Sequence, residues 1–194
     1  MTTREEQKNQ TRSKILKCAF EVFSKNGFAA PTLDIAKAAG VSHGTIFVHF
    51  STKEDLIIQL VRNFSFKLRS TIIVPLSSPK GIENFLINYM DVIQKNEQFY
   101  IRLIGEKDLL PDEARLMFLN LQLSNARSFA TIVKLQRNSM KLKNIPSTMM
   151  FNTWIGLVHY YLLNKDLFSP KGSVIKKYRD ELISTYLELI RVQD

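Results

Sequence analysis

His43, Gly44, Thr45, Phe47, Val48 and His49 fall within seven consecutive positions. Their chemistry is that of contact, not of bond-making. Imidazoles and a hydroxyl can exchange hydrogen bonds with base edges and phosphate oxygens. Phe47 and Val48 can meet a thymine methyl. On a helix, Ile46 and Phe50 at i and i+4 point the opposite way, into a core. The six therefore share an outward face, short and weakly charged, of the size that enters a major groove.

The rest of the chain offers an enzyme little. It has three histidines, at 43, 49 and 159, and two of them lie on this face. His43 and His49 do not align as metal ligands on one helical face. There is no Gly-rich phosphate loop and no nucleophile elbow. Cys18 is the one cysteine, which excludes an intrachain disulfide and a Cys-based zinc site. Among apolar neighbours it reads as an inert buried thiol, or else as a redox sensor. No catalytic residue, metal or cofactor is expected. Lys and Arg number 27 against 18 Asp and Glu, a net charge of +9 that suits a polyanionic partner.

Two helices and a corner must hold the reading face. Ile35, Ala36 and Ala39 share one side of the first, and Gly40 supplies the left-handed residue that ends it. Ser42 is placed to N-cap the second, and small Ala36 lets Ile46 pack close at the steep crossing of a helix-turn-helix. Pro31-Thr32 opens the first of the pair, with Thr32 as N-cap beside free amides that suit a phosphate. Thr52 with Asp55 reads as a capping box for a following helix, whose first turn carries Lys53 against the dipole. Upstream, Thr3 and Glu6 could form a capping box in an otherwise frayed first ten residues, and that helix ends at Asn26-Gly27. Its Arg12, Lys14 and Lys17 either follow DNA phosphates or form a solvated face.

The stretch IAKAAGVSHGTIFVHFSTKEDL resembles the DNA-binding signature of the TetR family of bacterial transcriptional regulators, over roughly Arg12 to Leu60. The resemblance implies that Lys53 is the family's phosphate-contacting lysine. The family pattern has a basic residue at position 43, Tyr at 47 and an aromatic at 48. Here His43, Phe47 and Val48 stand instead, so Phe47 lacks a hydroxyl for one phosphate contact.

Helical periodicity continues to the end of the chain. The fourth helix carries Leu56, Leu60, Phe64 and Leu68 at i+4 steps and should stop near Val74, before Pro75. Ser78 and Pro79 are the expected N-cap and first residue of the next. Further helices are expected from Asn96 or Glu97, from Asp112 to about Met140, from Met149 to about Asn164 and from Ser173 to Arg191, with a polar loop at Lys141–Pro146. The expected architecture is all-α, with about nine helices. An N-terminal three-helix DNA-binding head (residues 1–52) precedes a C-terminal helical bundle for ligand binding and dimerisation (residues 53–194).

The Met149–Asn164 helix is apolar nearly all round and should be buried on most sides. Ile155, Val158 and Leu162, with Leu182, Tyr186 and Leu189 on the last helix, form stripes that could meet a second copy as a four-helix interface. They could equally be plain core. Tyr89, Phe99, Tyr100, Met117, Phe118 and Trp154 either line a ligand pocket or fill the core, with Arg102, Gln122, Asn125 and His159 as polar anchors. No apolar run approaches the ~20 residues that cross a bilayer, and the N-terminus lacks a signal-peptide core, so a cytoplasmic location without membrane contact is expected.

The function expected is a TetR-type regulator, a repressor. It binds a pseudo-palindromic double-stranded operator as a homodimer and leaves it on binding a small-molecule effector of unknown identity. The alternative is a DNA-bound adaptor of the same fold whose body takes a protein partner.

Overall fold

The computed structural model describes residues 3–72 and 80–192. Ten α-helices follow in order: α1 (Arg4–Asn26), α2 (Thr32–Ala39), α3 (His43–His49), α4 (Lys53–Ile72), α5 (Gly81–Lys95), α6 (Glu97–Gly105), α7 (Asp112–Gln136), α8 (Ser147–Leu163), α9 (Lys165–Phe168) and α10 (Val174–Ile190), with a 3-10 turn at Lys107–Leu109. Among the described residues there is no strand, only an isolated antiparallel bridge between Leu142 and Arg191. The fold is all-α.

Residues 3–10, expected to be frayed, are ordered by a cap. Thr3 Oγ1 accepts the Glu6 N–H at 3.2 Å while the Glu6 carboxylate accepts the Thr3 N–H at 2.7 Å, so α1 starts at Arg4. The tenth helix is the single turn α9. The Asn164 amide donates to the Tyr160 carbonyl at 2.8 Å and ends α8, and the chain restarts at once, with Phe168 stacked on Tyr161 at 4.1 Å. The expected end of α4 at Val74 and the Ser78-Pro79 cap lie outside the described residues.

The chain divides into two compact units, Met1–Phe64 with Gln98–Phe118, and Ser65–Glu97 with Leu119–Asp194. The packing unit that contains the head thus runs past residue 52 and takes in α6. Its core centres on Phe99, fully buried, whose ring lies 4.6 Å from Phe20 and 5.8 Å from both Phe28 and Phe64. Tyr100 packs beside it on Phe64 and Phe118. Ring clusters of this kind bury large apolar area and tolerate truncation poorly, at about 3–5 kcal/mol for Phe to Ala.

The second unit is built on α5, most of α7, α8 and α10. Phe85, Phe129 and Phe151 form one layer of rings, and Tyr89, Trp154 and Tyr186 another. The Tyr186 hydroxyl donates to the Met150 carbonyl at 2.7 Å. This layer corrects the expected interface. Val158, Leu162, Leu182 and Tyr186 are all buried within the protomer, because their stripes face each other and α5. Of the six residues, Leu189 is exposed and Ile155 half-buried. Nor is α8 buried on most sides: Met149, Gly156, Tyr160 and Leu163 line an exposed stripe along it, while the exposed face of α10 is largely polar.

Burial holds the His159 imidazole down to about 4, so it stays neutral at pH 7. The unfolded imidazole titrates near 6.5. Folding therefore excludes a proton: the stabilisation is complete above about pH 6.5 and is lost as pH falls toward 4. Urea unfolding should report a loss of about 2 kcal/mol between pH 7 and pH 5, largely absent in His159→Gln. An unchanged pH slope in that variant would show that another group carries it.

Candidate nucleic-acid interface

The corner between α2 and α3 forms as its residues dictate. Gly40 sits at φ 60°, ψ 41°, the left-handed region where a side chain is disfavoured. The Val41 N–H then reaches back to the Ala36 carbonyl and the Gly40 N–H to Lys37, both at 3.1 Å, which closes a Schellman-type end. Ser42 Oγ accepts the Thr45 N–H at 3.1 Å and lies 2.7 Å from the Thr45 hydroxyl. Ala36 and Ile46 are buried on the packed faces of α2 and α3. Thr52 and Asp55 cap α4 reciprocally, at 3.0 and 3.2 Å.

Thr32 does not cap α2. Pro31 is the N-cap, because the Asp34 N–H already bonds the Pro31 carbonyl at 3.1 Å and draws Thr32 into the first turn. The freed Thr32 hydroxyl lies 2.9 Å from His43 Nε2 instead. His43 also meets the Phe47 ring edge-to-face at 5.2 Å. Thr32, His43 and Phe47 thus form one connected surface across the corner. Gly44 is open, Phe47 is 43% exposed and Val48 71% exposed. Two large apolar side chains held in solvent on a seven-residue helix suit contact with methyl groups and sugars.

His49 is half-buried, its Nδ1 enclosed without a partner. Desolvation, then the charges of Lys8 and Arg12, lower its basicity. Lys53 opens α4 with its ammonium 5.8 Å from the Phe23 ring centroid. Arg12 is not a free surface cation: its guanidinium lies over Phe50 at 4.7 Å and donates to Gln59 at 3.4 Å. Lys14 and Lys17 remain exposed.

The sequence does not announce a support at the end of α1. Arg102, expected as a pocket anchor, instead donates from Nε to the Ser24 carbonyl at 3.3 Å and from Nη2 to the Lys25 carbonyl at 2.7 Å. It satisfies the carbonyls that end α1. Its Nη1 holds Glu106 at 2.6 Å, and Glu106 accepts the Phe28 N–H at 2.7 Å. Gly27, at φ 80°, leaves room for that carboxylate; a Cβ there would lie 2.5 Å from Glu106 Oε1. The other expected pocket residues divide between the units. Phe99, Tyr100, Met117 and Phe118 belong to the first, and Phe99 is core of the head. Tyr89, Gln122, Trp154 and His159 belong to the second.

A capped helix-turn-helix with an exposed second helix defines a DNA-binding regulator. Residues 15–60 match the family model described as bacterial regulatory proteins, tetR family. The chain is 24% identical over 191 residues to the HTH-type transcriptional regulator AcrR of Shigella flexneri, covering 93% of this chain and 89% of that one. It is 37% identical over 59 residues to the HTH-type transcriptional repressor KstR2 of Mycobacterium tuberculosis, a match confined to 30% of each chain. The solved structure of KstR2, a ketosteroid transcriptional regulator, superposes with a TM-score of 0.75 at 15% identity, over 94% of this chain and 95% of that one. That of FadR from Bacillus subtilis in complex with stearoyl-CoA gives 0.68 at 18% identity, over 92% and 99%. Residues 15–60 of this chain are thus a DNA-binding domain of the tetR family of bacterial regulatory proteins, and the relative matched along nearly the whole chain is a transcriptional regulator.

Proposed function

We propose that this regulator is a repressor that binds a pseudo-palindromic operator as a homodimer and releases it when a small molecule occupies its second unit. The observation that carries the reading is the exposed His43–Phe47–Val48 face on a helix whose corner and cap are locked by Gly40 and Ser42. In it, His43, Gly44, Thr45, Phe47, Val48 and His49 meet base edges and sugars. Thr32, Ser42 and Lys53 meet phosphates.

One recognition helix of seven residues gives little affinity alone, which favours two heads on a two-fold axis. The exposed stripe on α8 supports pairing there. Nothing lies within 4 Å of the place where a Cβ on Gly156 would stand, so a second helix can come close. The effector reading draws on the buried polar and aromatic residues of the second unit, and on the stearoyl-CoA held by FadR. An effector can act only through its differential affinity for the operator-competent state. No helix among the described residues is long and apolar enough to cross a membrane, in keeping with action on cytoplasmic DNA.

Selection of a random duplex pool on the purified protein at modest salt tests the reading. Enrichment of an inverted repeat, with half-sites about 10 bp or a multiple apart, is the expected result. A pool that returns without any enriched sequence would falsify it.

A further inference from the structure

Two of the buried residues of the second unit carry an unpartnered side-chain donor: Trp154 Nε1, on a fully buried residue, and Asn125 Nδ2, on a residue 3% exposed. Buried donors are rarely left without an acceptor, because each has given up its bond to water without a replacement. The helix register brings them to one level. The Ile82 N–H bonds Gln136 at 2.9 Å and Phe85 packs on Phe129, so α5 and α7 run antiparallel. Phe85 packs on Phe151 and Tyr89 on Trp154, so α5 and α8 run parallel. One turn on from the Phe85–Phe129–Phe151 layer therefore stand Tyr89 on α5, Asn125 on α7 and Trp154 on α8. Tyr186 of α10 joins them, its ring 5.2 Å from Trp154.

This level is aromatic, and both of its open valences are N–H groups. The half-buried cation of α10, Arg179, has its charge offset by Asp91 at 2.6 Å and Asp180 at 3.2 Å through its two terminal nitrogens, and only its Nε lacks a partner. A bound anion would lack a countercharge, and an ammonium would face donors; both are costly in a desolvated site.

We propose that Asn125 and Trp154 together form the recognition point for a neutral oxygen acceptor, a carbonyl above all, on an otherwise apolar effector lying against the rings of Tyr89, Trp154 and Tyr186. The proposal rests on the effector-responsive reading above and adds the ligand's chemical class. It makes Asn125 a specificity determinant: the amide rejects compounds of the same size that bring no acceptor.

Trp154 is the sole tryptophan of the chain, so its emission reports on the site directly. The full-length protein is titrated with 2-decanone, decanoate and decylammonium, which share a chain and differ in the head. The expected result is a red shift of Trp154 emission with 2-decanone, bound about tenfold or more tightly than either ion. Asn125→Leu, which keeps the volume, should weaken 2-decanone about tenfold and leave the ions unchanged. Should that variant misfold, Trp154→Phe removes the other donor and keeps a ring, with calorimetry as the readout and the same loss expected. Equal or tighter binding of decanoate overturns the proposal. So does ketone binding indifferent to both substitutions, or no response to any probe up to its solubility. Operator selection on the same preparation separates the two levels. Sequence-specific DNA binding without any probe response removes this inference alone, whereas loss of DNA selectivity removes the reading beneath it.

Discussion

Operator affinity should fall about 10³–10⁵-fold as salt is raised from 50 to 200 mM, the loss expected when roughly 6–10 phosphates are neutralised by protein cations. The cause is counterion release: each phosphate paired with a lysine frees condensed cations whose entropy gain shrinks as bulk salt rises. The head supplies the cations, with Lys14 and Lys17 exposed on α1, Lys37 exposed on α2 and Lys53 at the start of α4. Lys53→Ala should lower the log–log slope by about one and weaken all duplexes alike. His43→Ala should leave the slope unchanged and alter which bases are preferred, because His43 lies on the reading face with Thr32 and Phe47. Arg12→Ala should destabilise the head instead, since its guanidinium lies over Phe50. Binding measured across a salt series for these three variants and the parent decides the matter. A flat response would remove the phosphate assignment of Lys53 and of the exposed lysines beside it.

What could be read from the sequence was local. Gly40, the Ser42 cap and the Thr52–Asp55 box each depend on partners within a few residues, so their spacing alone specifies them. The misreading of Thr32 comes from the preceding proline, whose carbonyl starts the helix a residue early. Periodicity gives the apolar face of a helix but not what that face meets. Val158 and Leu162 were rightly apolar, yet they close the protomer's own core, and the surface left over lies on Met149, Tyr160 and Leu163. Phe99 and Arg102 sit on a helix that reads like any other in the body. Their partners in the head, Phe20 and Ser24, lie nearly eighty residues earlier, and no short-range pattern announces such a pairing.

Glu97→Ala should destabilise the second unit by about 3–5 kcal/mol, more than loss of an ordinary helix cap. Glu97 is 6% exposed, a carboxylate buried at the start of α10. Its oxygens accept the Val174 N–H at 3.0 Å and the Ile175 N–H at 3.1 Å, and the Ser173 hydroxyl donates to it as well. It thus satisfies two of the amides that a helix start leaves open and places a negative charge at the positive end of the dipole. Truncation leaves two buried N–H groups and a hydroxyl without an acceptor, at about 1–3 kcal/mol each. Glu97→Gln should recover little, because its amide NH₂ would face a donor. Ser173→Ala provides the contrast. Ser173 Oγ accepts the exposed Lys176 N–H at 2.9 Å and donates to a carboxylate that keeps its two backbone donors, so its loss should cost about 1–2 kcal/mol. Urea unfolding followed by helical signal measures all three. A Glu97→Ala loss no larger than that of Ser173→Ala would mean that water reaches the start of α10 and the carboxylate is dispensable.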